Sequence, residues 1–263
     1  AGVWQVRQDG CVDLGLRDRT YIVTGASGGL GFATAQALVD EGARLVISSR
    51  SEESIGRAAA TLGTSRVVGI PLDNADPEGA ERLVATAIAK WGGLHGALIS
   101  VGGPAPGGAM DTDEDDWRKA FDSVFLGALR IARAVARAGA EGTSIAFVLS
   151  SSVKTPIPGL AISNGLRPGL AMVAKTLADE LGPAGIRVNG LLPGRIATDR
   201  LKQLDSKSGN PEEARRASEK TIPLRRYGTP EEFGQVAAFV LSPVASYLTG
   251  AMIPVDGGAL RTF

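Results

Sequence analysis

Short apolar runs alternate along the chain with longer segments in which apolar residues recur at every third or fourth position. The short runs predict β-strands, and the longer spacing predicts amphipathic helices with one apolar face each. Because the runs are apolar at successive positions, both faces of the strands are expected to be buried, as in a parallel sheet covered by helices. The runs lie at residues 21–24, 45–48, 67–70, 97–100, 145–149, 188–192 and 251–255.

The regular alternation of strand and helix predicts a doubly wound α/β fold with about seven parallel strands. We expect one domain over residues 13–263, because no linker, repeat or low-complexity tract interrupts the pattern. Residues 1–12 follow neither period and are expected to be an extension or an expression remnant outside the fold. The polar stretch 196–227 is too long for a plain loop and predicts a mobile substrate flap with a short helix.

The composition narrows the functional classes. The chain has 28 basic and 28 acidic side chains, a balance that argues against a nucleic-acid partner or a polybasic membrane surface. One Cys and one His exclude an internal disulfide framework and a cluster of thiolate or histidine metal ligands. No apolar run reaches the roughly 18 to 20 residues of a membrane helix. These features favour a cytoplasmic enzyme or binding protein that holds no metal.

A glycine-rich turn joins the first predicted strand to the first predicted helix. Its sequence, Thr24-Gly-Ala-Ser-Gly-Gly-Leu-Gly31, allows a tight turn and a close approach of the backbone to a diphosphate. The N–H groups and the dipole of the helix N-terminus favour an anion at the same place. The candidate cofactor contacts in this turn are Gly25, Ser27, Gly28, Gly29, Leu30 and Gly31.

The same turn also fits the Gly-x-Ser-x-Gly pattern of a serine hydrolase, with Ser27 as the nucleophile. That reading requires a histidine base, and His95 is the only histidine in the chain. His95 is expected just before the fourth strand, at the edge of the sheet opposite Ser27. Because catalytic groups of such sheets gather at the carboxyl ends of the strands, the dinucleotide interpretation is preferred, with His95 as a solvated loop residue.

With this turn, four further segments resemble the short-chain dehydrogenase/reductase family, from about Leu14 to the C-terminus. The resemblance implies a Rossmann-type sheet, a small carbonyl or alcohol substrate, and homodimers or homotetramers packed through the two long helices after strands four and five. Within the family, the resemblance suggests an activity similar to that of the 3-oxoacyl-reductases. The matching segments are 72–76, 186–198, 248–250 and 255–258.

Several positions acquire cofactor-binding roles through this resemblance alone. The segment 72–76 is similar to the one that holds the adenine, and the segment 193–198 to the loop beside the nicotinamide. The usual Asn-Asn-Ala-Gly after strand four reads Ile99-Ser-Val-Gly102. The positions so implied are Asp73, Asn74, Ser100, Val101, Gly102, Arg167, Pro193, Gly194, Ile196 and Thr198.

The end of the second strand predicts the choice of coenzyme. Members that prefer NAD carry an acidic residue there, which binds the ribose hydroxyls and repels a 2′-phosphate. This chain has Ser49, Arg50 and Ser51 instead. A guanidinium flanked by two hydroxyls is a good phosphate receptor, so we expect NADP(H).

The catalytic positions differ from the family pattern, in which a Tyr is the acid/base, a Lys follows four residues later and a Ser precedes the Tyr by about thirteen. Counting from the downstream segment places Ser163 at the Tyr position and Arg167 at the Lys position. The site serine is then Ser150, although a slip of one or two residues would make it Ser151 or Ser152. A serine hydroxyl is a much weaker acid than a phenol, and an arginine does not shuttle protons.

Two other side chains are candidates for the missing proton donor. Lys154 could serve if burial lowered its pKa, and Tyr227 could fold over the substrate from the flap. The family's helix Asn is replaced by Val124. Pro168 cannot donate to the preceding helical turn, so the helix is expected to begin late, near Arg167, or to bend there, which would leave Ser163 on a loop.

Two functions remain open at this point. The first is an NADP(H)-dependent reductase or dehydrogenase with a rebuilt catalytic site. The second is a catalytically inactive NADP(H)-binding sensor or scaffold of the same fold, which the combined loss of Tyr, Lys and Asn favours.

Overall fold

The computed structural model describes residues 12–206 and 209–262. A seven-stranded, all-parallel sheet in the order β3-β2-β1-β4-β5-β6-β7 forms its centre, as the alternation predicts. The prediction for residues 1–12 falls almost wholly outside the described residues. The strands are β1 (Thr20–Thr24), β2 (Arg44–Ser49), β3 (Val67–Pro71), β4 (Gly96–Ile99), β5 (Ser144–Val148), β6 (Arg187–Pro193) and β7 (Met252–Val255).

Helices cover both faces of the sheet, and each face has its own apolar core. One core contains residues of α3, α5 and α6, and the other contains residues of α1, α2 and α9. This arrangement confirms the doubly wound fold. The helices are α1 (Gly29–Asp40), α2 (Glu52–Leu62), α3 (Gly79–Trp91), α4 (Glu114–Ala120), α5 (Gly127–Ala138), α6 (Ala161–Leu181), α7 (Asp199–Ser206), α8 (Pro211–Thr221) and α9 (Pro230–Leu241).

The strand order determines where a ligand can bind. β1 pairs with β2 on one side and with β4 on the other, so the chain changes direction across the sheet between β1 and β4. Loops that leave the carboxyl ends of these two strands diverge, and the crevice between them is the usual binding position in a doubly wound sheet. The glycine-rich turn and the Ser100–Gly102 segment lie on the two sides of this crevice.

The prediction that α6 begins late is wrong. The helix begins at Ala161, and Pro168 lies inside it. Asn164 donates its N–H to the Leu160 carbonyl at 2.9 Å, which forms the first turn well before the proline. Ile162 precedes Pro168 and Leu170 follows it, each is 1 % exposed, and each packs in an apolar core, so core packing offsets the backbone hydrogen bond that the proline cannot make. Ser163 therefore lies on a helix and not on a loop.

Residues 196–227 contain two helices, α7 and α8, where the sequence predicted one. A short parallel bridge between Ile196 and Gly228 joins the two ends of the stretch. Whether it moves as a flap stays a prediction. Within the described parts of the chain, no helix has both the length and the apolar character needed to cross a membrane.

Candidate functional site

The glycine-rich turn is shaped by close backbone contacts at two of its glycines. Gly25 has a φ of +61°, and a Cβ there would lie 2.9 Å from the Ser100 carbonyl oxygen. A Cβ on Gly31 would overlap the Gly25 carbonyl. The first turn of α1 can therefore rest against the end of β1 only where side chains are missing.

The N-terminus of α1 is open. Its cap residue, Gly28, is in extended conformation and no side chain caps the helix. A Cβ built on Gly28 would meet nothing within 4 Å. The first amide groups of a helix have no acceptor within the helix, so this turn can receive an anion on its open side.

The opposite wall of the crevice is tied to β1 by a reciprocal pair of hydrogen bonds. The Thr24 hydroxyl donates to the Ser100 carbonyl at 2.6 Å, and the Ser100 N–H donates back to the same hydroxyl at 2.9 Å. Beyond this point the chain rises to the surface, with Val101 half-buried and Gly102 exposed. Thr24 belongs to the glycine-rich turn, but the sequence did not predict that its side chain joins the two walls.

The end of β2 lies beside the glycine-rich turn, because the Ala26 N–H donates to the Ser48 carbonyl at 3.0 Å. Ser49 is half-buried and Arg50 is exposed. The Ser51 hydroxyl accepts from the Ser54 N–H at 3.2 Å and caps α2. The Ser49 hydroxyl lies 3.5 Å from both the Ser51 carbonyl and the Ser54 hydroxyl, so both serines have contacts within this turn, and Arg50 beside them is exposed.

The predicted adenine segment forms a turn after β3. The Asp73 carboxylate accepts from the Ala75 N–H at 2.9 Å. A Cβ on Gly127, at the start of α5, would overlap the Asn74 carbonyl, so this turn packs directly on the helix. Asp73 is exposed and Asn74 is half-buried at this edge of the sheet.

The loop after β6 reaches back to the glycine-rich turn. Pro193 ends β6, and the Gly194 N–H donates to the Val255 carbonyl at 3.0 Å. Further on, the methyl group of Thr198 would lie 3.5 Å from a Cβ on Gly29. Ile196, 6 % exposed, is buried beneath the loop. Of the predicted residues of this loop, Thr198 is therefore the one that lies beside the glycine-rich turn.

Two serine hydroxyls form a buried pair near the carboxyl end of β5. The Ser152 and Ser163 hydroxyl oxygens lie 3.2 Å apart, and these residues are 4 % and 6 % exposed. The Ser150 hydroxyl instead accepts from the Ser152 N–H at 3.1 Å and caps a short 3₁₀ turn over Ser151–Val153. The serine that contacts Ser163 is thus eleven residues before it, not thirteen.

Arg167 is directed into the floor of the site. Its guanidinium donates to the Val148 carbonyl at the end of β5 and to the Val101 carbonyl at 3.4 Å. The residue is 5 % exposed, and burial lowers the pKa of the guanidinium to about 10. It stays charged at neutral pH, and within the described chain its recorded partners are main-chain carbonyls. The side chain links the ends of β4 and β5.

The position of the family's helix Asn is apolar. Val124 is 2 % exposed and packs with Ala120 and Ile162, in a segment of π-helix over Phe121–Leu126 that joins α4 to α5. A valine side chain cannot relay a proton. At the position that the sequence analysis assigned to this Asn, the structure has a packed apolar side chain.

The chain's three tyrosines lie elsewhere. Tyr21 is in β1 near the amino edge of the sheet, where burial raises its pKa to about 12, and Tyr247 is fully exposed. Tyr227 is 5 % exposed, and its hydroxyl donates to Asp205 at 3.1 Å. The sequence suggested that Tyr227 could fold over a substrate, but its hydroxyl is directed into the base of the α7–α8 segment.

Lys154 and His95, the other two candidate bases, also lack the surroundings that their proposed roles require. Lys154 is exposed, so the burial that its proposed role requires is not observed. His95 lies at the amino edge of the sheet, where its Nδ1 accepts the Thr20 N–H at 3.0 Å. Burial lowers its pKa. It is half-buried and bonded, not a solvated loop residue, and it lies across the sheet from Ser27 as the argument against a hydrolase requires.

One contact across the crevice was not predicted from the sequence. The Arg200 guanidinium, on α7, donates to the Pro104 carbonyl at 2.8 Å and lies against Gly103. It thereby links the α7–α8 segment to the loop after β4. Sequence position gives no signal of this contact, because Arg200 belongs to a charged stretch that also suits a solvated surface.

The fold, the open helix N-terminus and the divergent loops define a doubly wound α/β protein with a dinucleotide-type crevice. The comparisons with known proteins specify it further. The family described as enoyl-(acyl carrier protein) reductase matches residues 25–259. Dehydrogenase/reductase SDR family member 4 is 35 % identical in its human form over 92 % of this chain and 88 % of the relative, and 37 % identical in its Bos taurus form over 93 % and 88 %. The chain belongs to the short-chain dehydrogenase/reductase family.

Solved structures agree with this assignment. L-sorbose reductase from Gluconobacter frateurii, in complex with NADPH and L-sorbose, has a TM-score of 0.89 and 27 % identity over 95 % of this chain and 100 % of that one. YwfH, an NADPH-dependent reductase involved in bacilysin biosynthesis, has a TM-score of 0.85 and 28 % identity over 94 % and 100 %. These similarities confirm the predicted family and sheet.

The turn offers a direct test with two matched glycines. Gly31→Ala forces a Cβ against the Gly25 carbonyl, whereas Gly28→Ala places it in open space at an extended φ. Overpacking costs about 1–3 kcal/mol, so we expect Gly31→Ala to lower the melting temperature by several degrees, measured by circular dichroism. Gly28→Ala should melt within about one degree of the wild type. Equal melting temperatures for the two variants would contradict the close approach.

Proposed function

We propose that the chain is an NADP(H)-dependent oxidoreductase that interconverts a carbonyl compound and an alcohol. The observation that carries the proposal is the uncapped N-terminus of α1, which faces the crevice with the open side of Gly28. The related L-sorbose reductase is described as an NADPH complex, and YwfH as an NADPH-dependent reductase. These descriptions support the same coenzyme here.

The residues present fit a dinucleotide. The turn 25–31 would hold the diphosphate on its free amides, and Asp73 with Asn74 would border the adenine. Ser100–Gly102 and residues 193–198 would border the nicotinamide end. A bound nicotinamide coenzyme supplies hydride to the carbonyl carbon. The contribution of the chain is to orient the two reactants and to hold the proton that the oxygen requires.

The preference for NADP(H) is proposed from the end of β2. Ser49 bears no charge that would repel a 2′-phosphate, and Arg50 is exposed beside it. A guanidinium can form two parallel hydrogen bonds with a phosphate. The Ser51 hydroxyl accepts the cap bond of α2 and can still donate, so the phosphate would rest on Arg50 with the Ser49 and Ser51 hydroxyls beside it.

Replacing Arg50 tests this preference. Hydrogen bonds to charged groups contribute about 1.5–3 kcal/mol, so Arg50→Ala is expected to weaken NADPH binding by about tenfold to a hundredfold and to leave NADH binding unchanged. Fluorescence titration measures both affinities. Arg57→Ala removes an exposed arginine of α2 that pairs with Glu53 at 3.3 Å, and serves as the control. Equal losses for NADPH and NADH in Arg50→Ala would argue against a phosphate contact.

For the chemical step, we propose the buried Ser152–Ser163 pair as the group that binds the carbonyl oxygen. A hydroxyl donates one hydrogen bond and accepts another, so Ser163 can donate to the substrate oxygen while it accepts from Ser152. Arg167 provides a fixed positive charge at the floor of the site, where it joins the end of β5 to the loop after β4. Ser150 supports the pair indirectly, through its bond to the Ser152 N–H.

One observation favours the alternative, a coenzyme-binding protein without turnover. Arg167 is engaged with the Val148 and Val101 carbonyls, and Tyr21 and Tyr227 have their hydroxyls bound elsewhere. No phenol therefore stands next to Ser163 among the described residues. Positioned general acids contribute roughly 10²–10⁴-fold to a rate, and a serine pair supplies much less.

Turnover of the wild-type protein separates the two functions, and the double variant Ser163→Tyr with Arg167→Lys tests whether the geometry of the crevice is intact. If the geometry of the crevice supports catalysis, the introduced phenol and ammonium should raise the rate of NADPH oxidation with reactive carbonyl substrates by about a hundredfold or more. Arg167→Lys alone is the control, because it alters the floor of the site without adding a phenol. Wild-type turnover above background would support the reductase. Tight NADPH binding without turnover across a carbonyl panel would support the alternative.

We also propose a homodimer or homotetramer formed through α5 and α6. Phe121 and Phe125 stack with ring centroids 5.2 Å apart. Phe121 remains 41 % exposed, and Met172 on α6 is 65 % exposed. Phe125 lies against α6, 3.2 Å from a Cβ placed on Gly169, so the stacked rings adjoin α6, and contiguous exposed apolar surface marks interaction sites.

Met172→Glu places a charge on this face. It is expected to convert the oligomer to monomers at micromolar concentration, measured by light scattering after size exclusion. Lys202→Glu, on α7, alters an exposed residue away from this face and should keep the wild-type mass. A wild-type monomer, or an unchanged mass for Met172→Glu, would contradict the proposed interface.

A further inference from the structure

Thr198 and the first turn of α7 lie across the mouth of the crevice, from one wall to the other. On one side, the methyl group of Thr198 would lie 3.5 Å from a Cβ on Gly29 in the glycine-rich turn. On the other side, the Arg200 guanidinium donates to the Pro104 carbonyl at 2.8 Å, and its Nε would lie 3.1 Å from a Cβ on Gly103. Arg200 therefore lies beside the loop after β4, at the end of the crevice proposed for the nicotinamide.

The loop that Arg200 contacts also reaches the helix that carries the proposed oxygen-binding pair. The Gly107 N–H donates to the Gly159 carbonyl at 2.8 Å, and the Ala161 N–H donates to the Gly107 carbonyl at 3.1 Å. Ala161 is the first residue of α6, and Ser163 follows it in the first turn of that helix. The short loop 103–107 thus connects the rim at Arg200 to the helix start beside the buried serines.

The charge of Arg200 is not paired in the way that those of the neighbouring arginines are. Four arginines between residues 195 and 226 have carboxylate partners 2.5 to 3.4 Å away, namely Arg195, Arg215, Arg216 and Arg226. Arg225 donates to the Lys220 carbonyl at the end of α8. Arg200 has no ion pair among the residues that the structure describes, and its recorded hydrogen bond goes to a main-chain carbonyl.

This side chain retains donors for a ligand. A guanidinium has five N–H donors in a planar fork, which binds two oxygens of a carboxylate or a phosphate at once. Arg200 is exposed at the mouth, whereas Arg167 at the floor is buried and donates to main-chain carbonyls. Of these two arginines, Arg200 is therefore the one that an anionic ligand can reach.

We propose that the substrate carries an anionic group, a carboxylate or a phosphate, which Arg200 binds at the mouth of the crevice while the carbonyl group lies at the Ser152–Ser163 pair. This inference rests on the proposed oxidoreductase function and adds a substrate class to it. Because the same guanidinium contacts the loop after β4, the bound anion would be held between α7 and that loop. The contact is remote from the reacting carbon, so it contributes to substrate binding more than to the chemical step.

Matched pairs of charged and neutral carbonyl compounds test this substrate class. The probes are acetoacetate, levulinate and 5-oxohexanoate with their methyl esters, which vary the separation of anion and carbonyl, and dihydroxyacetone phosphate with dihydroxyacetone, which tests a phosphate separately. In NADPH oxidation by the wild type, the charged member of at least one pair should have a KM about tenfold below that of its neutral partner. Arg200→Met should raise that KM by about tenfold, with little change in kcat and none in the KM of the neutral partner.

The neutral partners separate substrate binding from a structural role of Arg200. Arg216→Met is the matched control, because Arg216 lies on α8, pairs with Glu212 at 3.4 Å and should be dispensable for both members of each pair. Equal losses on the charged and the neutral member in Arg200→Met would overturn the proposal, since the side chain would then act only by holding the loop. A wild type that prefers the charged member of no pair would overturn it as well.

Calorimetric titration of the same pairs, with and without NADPH, distinguishes a failure of this inference from a failure of the proposed function. If no carbonyl compound is reduced, the proposed function fails, but the charged member should still bind the wild type about tenfold more tightly than the neutral one. Arg200→Met should then bind both members equally. In a protein without turnover, equal wild-type affinities for the two members, or binding of neither, would overturn the anionic substrate class.

Discussion

The site depends on the contact between the first turn of α1 and the end of β1. A helix can start this close to a strand only if the facing residues lack side chains, and Gly25 with Gly31 meet that condition. The contact directs the first amides of α1 toward the crevice and places Gly28 at its open side. The Thr24–Ser100 bonds then hold the opposite wall at a fixed distance. Every proposed coenzyme contact is positioned relative to this pair of walls.

Beneath these walls, the site combines two kinds of polar group that are normally costly to bury. Ser152 and Ser163 contact each other, and Arg167 donates to the main-chain carbonyls of Val148 at the end of β5 and of Val101 in the loop after β4. Buried polar groups without partners cost about 1–3 kcal/mol each. Because the partners of Arg167 belong to the backbone, its position is set by the sheet and not by another mobile side chain. Such a group organises the floor of the site more readily than it moves a proton.

Much of the fold could be predicted because its causes are local. Strands buried on both faces are apolar at successive positions, and the turn before α1 requires glycine, so both features are visible in the sequence. The start of α6 could not be predicted, since it depends on Ile162 and Leu170 packing against other helices, which outweighs the effect of Pro168. For the serine that contacts Ser163, family spacing favoured Ser150 and left Ser151 and Ser152 open. A 3₁₀ turn at Ser151–Val153 brings the later serine into contact instead, and spacing alone does not reveal that turn.

The contact between Arg200 and the Pro104 carbonyl bears on how the crevice admits a ligand. It joins α7 to the loop after β4, whereas Tyr227 ties the base of the same segment to Asp205. The stretch 196–227 is therefore fastened at two depths, by an exposed bond from its outer end to the loop after β4 and by a part-buried bond within its base. A flap movement of the kind that the sequence predicts would have to break the outer bond, and one such bond contributes only about 0.5–1.5 kcal/mol.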